Sequence, residues 1–305
     1  MEVHLGSMEN VSCWAFRKLC TGASDSYTGM LSIDYLNRRI VGFKEVDTYK
    51  IDGQRQWIQF AVSKEKDINK FLRRLSEDIK TNPEKDNIYG LQINASCPSP
   101  FIIKIGQGAS LVKRPTKVSN LLKELLKQDK YKVSIKVRLG LNQEEVEKKK
   151  VLALFEEVEK IQDPNLKQVT VHFKHAKDRS STLYNYDLLK EMQNYKIPLI
   201  INGGINSYND FKHVIKGNTK NIIGFMVARG ALNNPDIFID INKEMGKKTI
   251  SERGNEKIGK EFKELCEEHM PKSVYLEKIK SRTKWFPQTL EIPVTDEKRR
   301  GFYDF

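Results

Sequence analysis

Apolar and β-branched residues gather into eight short runs along the chain: Val3–Leu5, Ser26–Thr28, Trp57–Ala61, Leu91–Ala95, Val133–Val137, Val169–Phe173, Leu199–Ile201 and Ile222–Val227. Near-continuous runs suit strands covered on both faces, as in a parallel sheet. Between most of them the spacing becomes helical, over Ala15–Cys20, Asp67–Ile79, Val118–Leu126, Glu144–Ile161, Tyr186–Met192 and Phe211–Ile215. This alternation predicts parallel crossover units, and eight of them close an α/β (β/α)₈ TIM barrel. An open doubly wound sheet is the competing architecture, but no G-x-G-x-x-G follows the first run. After Phe238 the strand patterns stop. Lys257–Glu268 and Ser273–Arg282 predict amphipathic helices parted by Pro271. The expected organisation is a catalytic barrel over residues 1–238 and a small C-terminal helical domain over 239–305.

The chain has 305 residues, 39% hydrophobic and 30% charged, which fits a globular protein with a full core. No apolar run is long enough for a membrane span, and Met1 to Met8 lacks the plan of a signal peptide, so a cytoplasmic location is expected. No pair of its four cysteines has C-x-x-C spacing, which argues against zinc and leaves chemistry to a single thiol. The net charge is +13, and from Asp236 onward 15 Lys/Arg face 14 Asp/Glu, so the excess lies on the barrel. Either a polyanionic partner such as RNA or a lysine-rich solvated surface accounts for it.

Barrel chemistry sits at the C-terminal ends of the strands. The seventh run ends in Asn202-Gly203-Gly204 and the eighth in Ala228-Arg229-Gly230. Adjacent glycines let backbone N–H groups converge on an anion, each loop is expected to open a helix, and Arg229 adds a fork of donors. Paired loops at this place favour a phosphate site over a mere tight turn. Lys136 and Arg138, two apart on the fifth run, share a face. A core ion pair with a carboxylate would explain them, and so would an anionic partner such as a flavin's N1–C2=O edge. His172, expected at the tip of the sixth run, is either a satisfied core histidine or a site residue. Gln59 interrupts an apolar run and needs a buried partner. Cys97 follows the fourth run on a Gly-containing loop, Gly106-Gln107-Gly108, which is expected to move over a substrate. Cys13, Cys20 and Cys266 lie on helical patterns and read as small buried hydrophobes.

The strings N-A-S-C-P-S-P, G-Q-G-A-S-L, I-K-V-R-L-G, V-H-F-K, I-N-G-G-I and M-V-A-R-G-A-L, with the opening G-S-M-E-N-V-S-C-W-A-F-R, resemble the tRNA-dihydrouridine synthases in type, order and spacing over roughly residues 3–238. The resemblance implies an FMN-dependent enzyme that uses NADPH (or NADH) to reduce the C5–C6 bond of uridine in tRNA; no membrane association is expected and no obligate protein partner is evident from the sequence. The resemblance also implies that Ser7 and Met8 line the flavin, Gln59 bonds its polar edge, Lys136 lies near N1/O2 and His172 flanks the ring. Asn202, Gly203, Gly204, Ala228 and Arg229 would hold the phosphate. Cys97 would be the proton donor, and Asn94, Arg138 and Lys174 would meet the substrate. The chain departs from the family at Gly6-Ser7-Met8, Ser96, Gly29 and Phe173-Lys174-His175-Ala176, positions that bear more on tRNA placement than on flavin binding. Two other readings stay open: a dihydroorotate dehydrogenase-like flavin barrel acting on a small molecule, which also carries an N-x-S-C-P-like string, and a catalytically idle RNA-binding barrel.

Overall fold

The structure, a computed structural model, describes residues 1–38, 46–217 and 219–293. Its strands are β1 (Glu2–Leu5), β2 (Asp25–Tyr27), β3 (Leu31–Ser32), β4 (Arg55–Ala61), β5 (Ile88–Ala95), β6 (Lys132–Gly140), β7 (Leu166–His175), β8 (Leu199–Asn202) and β9 (Ile222–Val227). All pairings are parallel. Eight strands, in the order β1-β2-β4-β5-β6-β7-β8-β9, form a ring that closes where β9 meets β1. The two-residue β3 pairs with the end of β4 and adds to these eight. The expected barrel is therefore the observed one, and each of the eight apolar runs overlaps one barrel strand, Ser26–Thr28 passing the end of its strand by one residue.

Two differences have physical causes. The helix expected over Glu144–Ile161 is split into Gln143–Glu147 and Lys150–Glu159, with Lys149 at φ 50° between them. The charged run Glu147–Lys150 offers no apolar side chain to hold that turn on the barrel. The strand expected to end near His172 continues to His175, because β6 extends to Gly140 and the two remain paired, Gly140 opposite His175. His172 therefore lies within a strand rather than at its tip.

The opposite end of the barrel is closed by a polar cluster around buried His4 and Asp25. His4 lies 3.1 Å from Glu2 and 3.3 Å from Asp25. The Arg55 guanidinium pairs with both carboxylates, and Trp57 Nε1 donates to Asp25 at 2.7 Å. Although this is a His/carboxylate trio close enough to hold a metal, Arg55 already supplies its cation.

The C-terminal part comprises helices Ile237–Glu244, Asn255–Glu268 and Ser273–Lys280. The first runs through the boundary expected at 238/239 and buries Ile237, Phe238, Ile239 and Ile241. Arg253 ties this region to the barrel: its guanidinium bonds buried Asp236, donates to Glu261 at 2.7 Å and reaches the Leu19 carbonyl at 2.8 Å. Trp285 adds a second tie, donating to the Leu232 carbonyl at 3.0 Å while stacking on Phe16. Residues 294–305 of the expected helical domain lie outside the described residues.

Candidate active site at the barrel mouth

Strand register places the polar residues of β4 to β8 in tiers. Gln59 pairs across to Gln92 and Gln92 to Ser134; one step toward the mouth, Asn94 faces Lys136, and beyond that Arg138 faces His172 and His172 faces Asn202. The lower tier is a hydrogen-bonded chain. Gln92 donates to Ser134 at 3.1 Å, Gln59 donates to Gln92 at 2.7 Å, and Asn94 donates to the Gln59 carbonyl oxygen at 2.6 Å. Gln59 therefore finds its required partners within the protein.

Lys136 is 9% exposed, and among the described residues no carboxylate forms an ion pair with it. The core ion pair is thereby excluded as its explanation. Burial, reinforced by the Arg138 charge, lowers its pKa from 10.5 to about 8. A buried cation with no protein counter-ion is costly and suits an anionic or electron-rich ligand. His172 shares this field. Burial first, then Arg138, Lys136, Lys174 and Arg229, holds its imidazole well below the ordinary value, so it is neutral near pH 7.

Cys97 follows β5, half-buried, with its backbone N–H donating to the Asn94 Oδ1 at 2.7 Å. The same oxygen accepts the Ser96 N–H at 2.9 Å. Arg138 Nε donates to the Ser96 carbonyl at 2.7 Å and its Nη1 to the His175 carbonyl at 3.0 Å. Asn94 and Arg138, expected to contact substrate, thus act on the thiol loop from both sides. Burial pushes the Cys97 thiol above its ordinary value, so it stays protonated across the neutral range. The loop expected to move is instead packed down. Gln107 is fully buried and bonds Asp34 at 2.7 Å, and Ala109 N–H donates to the Cys97 carbonyl at 3.0 Å. Gly108 sits at φ +57°, where a Cβ would lie 2.7 Å from that carbonyl. Its lack of a side chain lets the following turn seat directly on Cys97.

The glycine turn after β8 has φ +125° at Gly203 and +65° at Gly204. It does not open directly into a helix, since Tyr208–Ile215 begins after Ile205-Asn206-Ser207, with Ser207 as its cap. Asn202 donates to the Met226 carbonyl at 2.9 Å and joins the two loops. Ser7 and Met8 leave β1 beside Val227 and Ala228: Gly6 N–H bonds the Val227 carbonyl at 2.7 Å. Ser7, Met8, Ala228 and Arg229 all retain accessible surface.

Tyr184 was not legible as a site residue. Its ring lies on the glycine turn, where a Cβ on Gly203 or Gly204 would approach it to 2.5 or 2.7 Å. Its hydroxyl accepts from Arg229 Nη2 at 3.1 Å. Lys174, expected at the substrate, is 3% exposed; its ammonium donates to the Arg179 and Ser180 carbonyls, both at 3.0 Å, and lies 4.5 Å from the centre of the Tyr184 ring. It anchors the loop that carries Tyr184. Tyr186, instead of starting a helix, bonds the Gly203 carbonyl through its hydroxyl, and the helix begins only at Leu189.

A family model described as dihydrouridine synthase matches residues 5–300. The chain belongs to the dihydrouridine synthase family. Among curated proteins, this dihydrouridine synthase family member is 32% identical over 155 residues to a tRNA-dihydrouridine(20a/20b) synthase-like protein of Homo sapiens, 49% of this chain and 45% of that one. It is 27% identical over 159 residues to a tRNA-dihydrouridine(20) synthase of Schizosaccharomyces pombe, 50% and 32% of the two chains. A probable tRNA-dihydrouridine synthase of Aquifex aeolicus matches over 250 residues at 27%, 80% and 73% of the two. The matches to the human and fission-yeast proteins span less than half of those relatives' length. Solved structures that match include morphinone reductase (TM-score 0.52, 11% identity, 82% of this chain and 87% of that one) and a GH18 chitinase from Pseudoalteromonas aurantia (TM-score 0.52, 16% identity, 80% and 99%). At such identity these two speak to the barrel fold alone.

Proposed function

We propose that the protein is a cytoplasmic tRNA-dihydrouridine synthase that uses FMN and NADPH (or NADH) to reduce the C5–C6 bond of a uridine. The observation that carries this reading is Lys136, a buried ammonium with no carboxylate partner among the described residues, beside a neutral His172 in the field of three further cations. The residues present fit a flavin mononucleotide. Lys136 would meet the N1/O2 edge, where negative charge grows on reduction, and His172 would flank the ring. Ser7 and Met8 would line it, while Asn202, Gly203, Gly204, Ala228 and Arg229 would hold the phosphate. Gln59, through Asn94, would set the polar floor beneath.

Bound FMN would carry a hydride from the nicotinamide to uracil C6. The chain's own task is then the proton at C5. Cys97 supplies it from a thiol that burial keeps protonated, and the resulting thiolate regains a proton from water. Asn94 and Arg138 hold the loop so that the thiol stays at the mouth. A base inside a folded tRNA is reached only after local unstacking, and the basic barrel surface offsets that cost through phosphate contacts. The helices from Asn255 onward would form a second contact. The cleft of about 400 Å³ at their junction with the barrel carries Lys85 and Lys272 beside Trp14 and Tyr49. The family names of the relatives and the barrel's charge favour RNA over the small-molecule alternative.

The test is nucleoside mass spectrometry of tRNA incubated with the protein, FMN and NADPH. A gain of the mass of two hydrogens on one uridine is expected. Unchanged uridine, with turnover of dihydroorotate or another small substrate, would overturn the reading.

A further inference from the structure

Tyr184 occupies a position that the glycine turn alone does not explain. Positive φ accounts for glycine at 203 and 204, but the ring adds a separate steric demand at both. The side chain is also drawn toward cations: Lys174 lies under its ring and Arg229 donates to its oxygen. A tyrosine hydroxyl that accepts from a guanidinium still has its own proton to donate, directed away from that donor. Among the described residues the Tyr184 hydroxyl accepts from Arg229 and donates to no protein acceptor, and Arg229 is exposed at the mouth, where a ligand can supply one. One group that accepts from an arginine and a hydroxyl together, beside a pair of glycines, is a phosphate monoester.

We propose that Tyr184 is a ligand of the cofactor phosphate, its hydroxyl and Arg229 donating to the same monoester, and that this contact selects the phosphorylated flavin over riboflavin. The inference rests on the flavin reading above. Lys174 serves it as a positioning residue: its bonds to the Arg179 and Ser180 carbonyls fix the loop that carries Tyr184.

The experiment measures the affinities of FMN and riboflavin for the full chain and for Tyr184→Phe, by quenching of flavin fluorescence. The variant keeps the ring over Gly203 and Gly204 and removes only the hydroxyl. FMN should bind roughly tenfold to a hundredfold more weakly, as for a lost hydrogen bond to a charged group, while riboflavin is unaffected. Equal weakening of both flavins would make Tyr184 a wall of the site and overturn the proposal. Tighter FMN binding, repeated in Tyr184→Ala, would show that the ring obstructs the phosphate position, and would overturn it too. Weaker tRNA binding with an unchanged FMN-to-riboflavin ratio would assign the hydroxyl to an RNA phosphate instead. Parent protein that binds neither flavin would remove the flavin reading itself, an outcome distinct from all of these.

Discussion

The side-chain oxygen of Asn94 accepts the backbone N–H of Cys97 at 2.7 Å, while its amide nitrogen donates to Gln59 at 2.6 Å. One buried amide thus connects the polar floor of the barrel to the loop that carries the reactive thiol. The geometry of Cys97 is set by a hydrogen-bond chain that starts at Ser134 on a neighbouring strand.

Removing that amide should be costly. Asn94→Ala leaves the Ser96 and Cys97 N–H groups and the Gln59 carbonyl without their partner, at about 2–4 kcal/mol in total. Asn94→Asp still accepts both N–H bonds but sets a carboxylate oxygen against the Gln59 carbonyl oxygen, so it should recover only the part of the loss that lies in the thiol loop. Urea unfolding reads the stability. Oxidation of NADPH by the flavin, without tRNA, should survive in both variants, whereas tRNA reduction falls in Asn94→Ala and recovers in Asn94→Asp. Equal loss of both half-reactions would reduce Asn94 to a core residue.

Lys136 gives two pH dependences of opposite sign. Its folded pKa of about 8 lies below the ordinary 10.5, so between these values the folded chain binds fewer protons than the unfolded one. Stability of the flavin-free protein should therefore rise with pH across that window. Affinity for reduced FMN, anionic at N1, should instead fall above pH 8, toward tenfold per pH unit, because the cation is lost. Lys136→Met should flatten both responses. Thermal unfolding and anaerobic titration with reduced FMN at pH 7 and pH 9.5 check the pair, and an affinity for reduced FMN independent of pH would remove Lys136 from the cofactor.

The barrel was legible because parallel strands buried on both faces leave nearly unbroken apolar runs, as in Leu199–Ile201 and Ile222–Val227. Polar residues inside such runs pointed to the mouth, and Gln59 and Lys136 were found that way. Gln92 carried the same signal, two residues before Asn94 on one face, but its role as the link to Ser134 depends on register between strands. Tyr184 carried almost none: an aromatic residue in a polar loop gains meaning only when the fold lays it on Gly203 and Gly204. The packing of Gly106-Gln107-Gly108 was hidden for a related reason. Glycines report permitted backbone angles, and whether they confer motion or close contact depends on what lies opposite them, here the Cys97 carbonyl.

Arg253 holds the C-terminal helices through a pair with Asp236 in which both side chains are nearly inaccessible. Arg253→Ala leaves that carboxylate buried without its cation, which should cost about 3–5 kcal/mol. Replacing both residues, as Asp236→Asn with Arg253→Met, should cost less than the single change. Urea unfolding of the three variants against the parent decides this. If Arg253→Ala unfolds at the parent's midpoint, the pair contributes nothing and the helices are held by their other contacts, such as those of Trp285 and Asn242.

Cys97 is the residue on which the proposed chemistry most depends. Its thiol is half-buried, protonated near neutral pH and held at the mouth by Asn94 and by Arg138 acting on the preceding carbonyl. The other three thiols are buried in helical surroundings, and burial raises each of them, so none shares that setting. Cys97→Ala should bind FMN and accept hydride from NADPH at the parent's rate. Reoxidation of the reduced flavin by tRNA should slow by ~10²–10⁴, the usual cost of losing a general acid. Cys13→Ala, Cys20→Ala and Cys266→Ala should leave that step unchanged, at some expense in stability. Because the Cys97 pKa lies above the ordinary thiol value, the parent's rate should hold to a higher pH than an ordinary thiol allows, then fall as the proton is lost. Rapid-mixing absorbance of the flavin separates the half-reactions. Reoxidation of Cys97→Ala by tRNA at the parent's rate would mean that another group delivers the proton to C5.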